Sequence, residues 1–148
     1  MTHRENVVAC LRRQSFERIP WHIDLCDCLK QEMIRRYGTD NVAEVFDMPV
    51  QYIELAPSAH PIDHRKYHKN PDDLTMIDEW GVGYKQGSVA HFMKFISPMA
   101  DFDDPQQVID YPFPDMDEPE RWVKTKEKVD ECHAAGRAAA YFGLQVFE

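Results

Sequence analysis

The feature that most limits the folds open to this chain is the way its last stretch is written. A helical pattern runs from about Glu120 to Ala135, with Pro119 at a first-turn position and Gly136 as its stop. An apolar run follows at once, Arg137 to Phe142, containing Ala138, Ala139, Ala140, Tyr141 and Phe142. A helix leading straight into a short apolar run is the mark of a buried strand in an α/β sheet. Apolar residues continue through Leu144, Val146 and Phe147 to Glu148. Burying Tyr141, Phe142, Leu144, Val146 and Phe147 stabilises by very roughly 7–15 kcal/mol, as much as the whole net stability of a typical domain. Such a strand needs neighbours on both sides, and little sequence remains to supply them. The expectation is therefore the front portion of a longer protein. The competing expectation is a complete small α/β domain whose last strand is already flanked.

The opposite end begins like a helix. Thr2 and Glu5 have capping-box spacing, and Val7, Val8 and Leu11 share a face. After the polar stretch Gln14–Arg18 and Pro20, the alternation Trp21-His22-Ile23-Asp24-Leu25 predicts a short strand. A helix capped by Asp24 or Asp27 should then run to about Tyr37, with Leu29, Met33 and Ile34 inward and Gly38 as its stop. Asn41 and Glu44 repeat the capping-box spacing before a short helix, and Val50–Ala56 reads as extended. Pro57–Asp73, rich in His and Pro, reads as a surface excursion. Thr75–Lys85 and His91–Ile96 predict a β-hairpin turning at Gln86-Gly87-Ser88. Asp103-Asp104-Pro105 opens a helical turn to Val108, and Tyr111-Pro112-Phe113-Pro114-Asp115 is a stiff linker. Trp122, Val129 and Cys132 or His133 should form the inner face of the long helix. No boundary is strong enough to divide residues 1–148, which are read as one domain.

Charge and composition remove several functions. The 148 residues carry 26 acidic and 17 basic side chains, a net charge of −9. That opposes nucleic-acid binding, which calls for a basic face. No apolar run approaches the ~18–20 residues that span a bilayer, and no h-region follows Met1-Thr2-His3-Arg4. A cytoplasmic protein with reduced thiols is expected, its four cysteines making no disulfide framework. Among six glycines none forms a GxGxxG or GxxxxGK[ST] phosphate loop.

Met1–Leu11, Glu17-Arg18-Ile19-Pro20, Asp78-Glu79-Trp80-Gly81-Val82, Pro98–Pro105 and Tyr111-Pro112-Phe113-Pro114, taken in this order, resemble segments of the uroporphyrinogen decarboxylase superfamily. The opening Met1–Leu11 is similar to the family's first helix, and Glu17-Arg18-Ile19-Pro20 to its lead-in to the first barrel strand. Asp78-Glu79-Trp80-Gly81-Val82 resembles a "DEWG" segment of its uncharacterised and methyltransferase-like branches. Pro98-Met99-Ala100-Asp101-Phe102-Asp103-Asp104-Pro105 and Tyr111-Pro112-Phe113-Pro114 resemble the "P(L)ADFxDP … YPFP" stretch of the same branches.

The resemblance implies a (β/α)₈ barrel, which needs about 200 to more than 400 residues. The chain would then be an N-terminal portion, with Trp21–Leu25 as the first barrel strand, Arg137–Phe142 as the second, and the hairpin inserted between them. The porphyrinogen decarboxylases of the family carry an Arg-rich "RQAGRY" segment after the first strand, suited to a polyanionic substrate. Here that region reads Ile23-Asp24-Leu25-Cys26-Asp27-Cys28-Leu29. The resemblance thus implies the methyltransferase-like branch, which moves methyl groups between a corrinoid and a thiol-type acceptor. Its zinc is held by His and Cys residues late in the barrel, so no metal ligand is carried over to this segment. The alternatives are a uroporphyrinogen decarboxylase, and a non-catalytic half-barrel that associates with itself or a partner through an open sheet edge. A small-molecule substrate or a corrinoid protein is the partner expected of the complete enzyme, and the isolated chain is expected to be inactive.

The candidate site residues are His22 and Asp24, which sit at i and i+2 on one face of the expected strand near its C-terminal end. A His beside a carboxylate handles protons or orients substrate. The blander alternative is a hydrogen-bonded His22 and a helix-capping Asp24. Glu148, after the expected second strand, could reach the barrel mouth. Cys26 and Cys28 are one residue apart, too close for the usual structural-zinc spacing and without two further ligands, so small inert thiols are the favoured reading. His60, His64 and His68 recur every four residues without a His-Glu-x-x-His pattern, and a solvated loop is favoured over a metal site. Glu79 and Trp80 are placed on a hairpin strand, with Trp80 packing. The Asp101–Asp104 cluster is read as charge at a helix start, and it lacks the glycine and glutamate of a calcium loop.

Overall fold

A computed structural model describes residues 1–89 and 92–141. They form a mixed α/β structure with two small sheets, one parallel and one antiparallel. The chain divides into two compact units: Pro57–Arg121, and Met1–Ala56 together with the chain from Trp122 onward.

The outer unit starts with α1 (His3–Leu11), whose capping box forms as its spacing predicts. The Glu5 amide donates to Thr2 Oγ1 at 3.2 Å, and the Thr2 amide donates to Glu5 at 2.8 Å. Asn6, buried on this helix, holds the next loop. Its Oδ1 accepts from the amides of Glu17 (2.7 Å) and Arg18 (3.1 Å), while its Nδ2 donates to the Arg18 carbonyl (2.6 Å). The Glu17–Pro20 segment is thus pinned by one side chain of the first helix.

Next come α2 (Asp27–Tyr37), α3 (Val42–Val45) and β1 (Val50–Tyr52). Gly38 ends α2 with φ +75°, the left-handed value expected of that stop. Asn41 caps α3 by accepting from the Glu44 amide at 3.1 Å. Most of α5 (Pro119–Ala134) and then β5 (Ala138–Ala140) complete this unit. β5 pairs with β1 in parallel, Val50 opposite Ala138 and Tyr52 opposite Ala140. The ladder is extended by the bonds Ala138 N to Pro49 O (3.0 Å) and Ile53 N to Ala140 O (2.8 Å). Alanine has little intrinsic strand preference, so pairing and burial, not propensity, hold β5. α1 packs on both strands, and Val7, Met33, Ala43, Met48, Ile53, Cys132 and Ala138 are buried.

Four expectations are corrected or narrowed here. Trp21–Leu25 makes no ladder: its alternation lacks a neighbouring strand to take its backbone bonds, and the Ile23 amide points to the Met48 sulfur at 3.5 Å. Val50–Tyr52 holds the strand position instead. Neither Asp24 nor Asp27 caps α2; Cys26 is its N-cap, Asp27 its first residue, and Asp24 accepts from the adjacent Leu25 amide at 2.8 Å. On α2 only Met33 is buried, and on α5 Trp122 is 52% exposed while Cys132 is buried. The expected strand Arg137–Phe142 is realised as Ala138–Ala140, with Phe142 outside the described residues.

The inserted unit contains 3₁₀ turns at Arg65–Tyr67 and Pro71–Asp73, strands β2 (Met76–Ile77), β3 (Gly83–Gln86) and β4 (Met93–Ile96), and helix α4 (Pro105–Ile109). The strands form an antiparallel sheet in the order β2-β3-β4. The expected first hairpin strand is therefore broken in two, because Asp78–Val82 folds into a turn. Asp78 makes that turn: its Oδ1 accepts from the amides of Trp80 (3.0 Å) and Val82 (2.8 Å), and its Oδ2 from the Tyr84 hydroxyl (2.9 Å). Asp104 caps α4 reciprocally with Gln107, as charge at a helix start predicts.

Candidate functional site

The outer unit carries a cleft of about 830 Å³ beside the C-terminal ends of the parallel strands. Such strand ends are where α/β proteins bind ligands. Tyr52 closes β1, Tyr141 follows β5, and both line the cleft together with Ile53 and Glu54. The loop before α2 contributes His22 and Asp24 to the same cleft. The two residues singled out by alternation therefore do share one concave surface, although a pinned loop, not a strand, presents them.

The His22 ring lies edge-on to Tyr52, with centroids 4.3 Å apart and planes at 74°. Asp24 stands 3.6 Å from Lys30 Nζ, one turn into α2. Asp40 and Glu54 add two carboxylates to the wall. The cleft thus has an imidazole against an aromatic face, one lysine and three carboxylates, a set able to move protons and to hold a polar, cationic or neutral ligand. A polyanion would meet more carboxylates than ammonium groups.

The histidines of the inserted unit have other employment. His64 is 2% exposed, and its Nε2 donates to the Glu79 carbonyl at 3.1 Å. His68 Nε2 donates to the Gly81 carbonyl at 2.8 Å. Both rings therefore brace the Asp78–Val82 turn, while His60 is exposed. Among the described residues no three His, Cys, Asp or Glu side chains are grouped to hold a metal ion. Glu79 and Trp80 lie in the turn, not on a strand. Glu79 accepts from Arg121 Nη2 at 2.7 Å, and Arg121 has no exposed surface. Trp80 is half-buried, and its carbonyl accepts from the Tyr111 hydroxyl at 2.7 Å. Asp101 pairs with Lys69 at 2.6 Å.

Tyr111 and Arg121 escaped the sequence reading. Tyr111 stacks on His64 with centroids 5.3 Å apart, and Tyr67, Phe102 and Phe113 surround it. Burial, then the nearby Tyr67 and Asp78, push its hydroxyl pKa up to about 12. Its signals were the proline that follows it, which spoke of stiffness, and its place in the Tyr111-Pro112-Phe113-Pro114 resemblance, which named no role for it. Arg121 stands in a first helical turn beside Trp122, where nothing in the periodicity marks a buried cation. Glu118 was missed as well: its carboxyl is held below the usual range by the Ser58 hydroxyl and the Ala59 amide, which bond it at 2.7 and 2.8 Å.

Glu148 lies outside the described residues. Among the described residues no helix is long and apolar enough to cross a membrane. No known protein family, curated protein or solved structure matches the chain.

Proposed function

We propose that this chain is the N-terminal portion of a barrel enzyme of the uroporphyrinogen decarboxylase superfamily, acting in methyl transfer to a small thiol-type acceptor. The observation that carries the reading is the parallel β1–β5 pair opening at its C-terminal ends into the cleft that holds His22 and Asp24. Active sites of closed α/β barrels lie at that end of the strands. In this reading β1 and β5 are adjacent barrel strands, and Pro57–Arg121 is an insertion between them. Support also comes from the resemblance motifs, which make contact within each unit: Asn6 holds Glu17 and Arg18, and Tyr111 holds the Asp78–Val82 turn.

The reading assigns His22 the proton released as the acceptor sulfur is methylated. Asp24 and Lys30 set the polarity of the wall. The zinc of the methyltransferase-like branch finds no ligand set among the described residues, and no step through it is assigned to them. The carboxylate-rich cleft favours this branch over porphyrinogen decarboxylation.

The test is to express the longest open reading frame that contains these residues. It is assayed with a methylated corrinoid and a small thiol, and separately with a porphyrinogen. Methyl transfer that falls at least about tenfold in Asp24→Ala or His22→Ala, a loss of about 1.4 kcal/mol of transition-state stabilisation, is the expected result. Decarboxylation would transfer the assignment to the porphyrinogen branch. Absence of both activities would overturn it.

A second reading, a half-barrel that associates through an open face, draws on the exposure of Trp21, Ile23, Tyr52 and Tyr141. Light scattering on the chain decides it: a monomer at all concentrations removes it.

A further inference from the structure

The start of α2 carries a feature that the cleft does not use. Cys26 is the N-cap residue and Cys28 lies in the first turn, and both are exposed and free. Their sulfurs stand 3.2 Å apart. That is about 1.2 Å longer than the ~2.05 Å of a disulfide bond, so closure asks for a side-chain adjustment at a helix end. We propose that Cys26 and Cys28 are a redox-active dithiol that reduces small disulfides by exchange and closes to a Cys26–Cys28 bond.

The two sulfurs have different roles. The two sulfurs share one S–H···S contact in which either can donate; with Cys28 as donor, that contact lowers the Cys26 thiol below its ordinary range. The same contact pushes the Cys28 thiol up. The position of Cys26 at the N-cap, outside the first turn that holds Cys28, makes Cys26 the attacking thiolate and Cys28 the resolving thiol. The helix N-terminus adds a favourable partial charge beside Cys26.

In the first step the Cys26 thiolate attacks one sulfur of a substrate R–S–S–R. The substrate S–S bond breaks, Cys26–S–S–R forms, and the leaving thiolate takes up a proton. Cys28 then gives up its proton and attacks the Cys26 sulfur. The mixed disulfide breaks, and the second R–S⁻ leaves and is protonated. The chain has lost two thiol hydrogens, and the disulfide has become two thiols. Cys132 is buried and Cys10 half-buried, and neither takes part.

The experiment treats the reduced full chain with oxidised glutathione, quenches by alkylation and maps the products by mass. The expected result is a Cys26–Cys28 bond in the unaltered chain. Cys28→Ser should stop at a mixed disulfide on Cys26, and Cys26→Ser should form one about tenfold more slowly. Circular dichroism confirms that both exposed-site variants keep their fold. Equal rates for the two variants, or an unaltered chain that yields no Cys26–Cys28 bond, would overturn the proposal.

Discussion

The Tyr111 hydroxyl occupies the space that a side chain on Gly81 would need: a Cβ placed there lies 1.9 Å from Tyr111 Oη and 2.9 Å from His64. Gly81 also has φ +82°. The close approach lets Tyr111 donate to the Trp80 carbonyl, and so ties the YPFP segment to the DEWG turn. Two stretches about thirty residues apart are thus one structural device.

Gly81→Ala should destabilise the inserted unit by about 2–4 kcal/mol, through both the clash and the left-handed φ. Adding Tyr111→Phe removes the clashing oxygen and leaves the backbone strain and the tighter-than-ordinary approach to His64 at 2.9 Å. The double variant should therefore lose less than the sum of the singles. Denaturant unfolding of the three chains measures the coupling, and strict additivity would refute the contact.

Alkaline unfolding follows from Tyr111. Its folded pKa, about 12, lies above the ordinary value of 10. A raised pKa gives stability that is complete below pH 10 and lost as pH rises through about 12. The two-unit difference corresponds to about 2–3 kcal/mol. Melting followed from pH 9 to 12 should show this loss, and Tyr111→Phe should flatten it.

Glu79→Gln should cost about 1–3 kcal/mol, because it replaces the carboxylate that the fully buried Arg121 Nη2 reaches at 2.7 Å with a neutral amide. Arg121→Met, which removes the buried charge together with its need for a carboxylate, should cost less. Equal losses in chemical denaturation would show that packing, not charge, decides the site.

Asn6→Ala should cost about 2–3 kcal/mol, since three hydrogen bonds to Glu17 and Arg18 go at once. Asn6→Asp keeps the acceptor for both amides but sets an oxygen against the Arg18 carbonyl, and should recover only part of the loss. Hydrogen exchange at the Glu17 and Arg18 amides reads the effect directly.

The sequence by itself determined the local events. Thr2 with Glu5, and Asn41, cap the helices their spacing announces, Asp104 caps the turn that Asp103-Asp104-Pro105 announces, and Gly38 ends α2. These bonds span three or four residues, so the information sits within one helical turn. Ala138–Ala140 was legible as a strand because a helix and an apolar run adjoin. His22 and Asp24 line one cleft, but a loop and not the expected strand brings them there. Tertiary structure decided the rest. Trp21–Leu25 has a strand's pattern but no partner, while Val50–Tyr52 gains β5 from 88 positions further on. His64 and His68 became braces because carbonyls of a distant turn reach them before any ligand does. Tyr111 and Arg121 took their weight from burial. A side chain's role in a packed interior depends on which groups surround it in space, and neither period nor spacing along the chain encodes that.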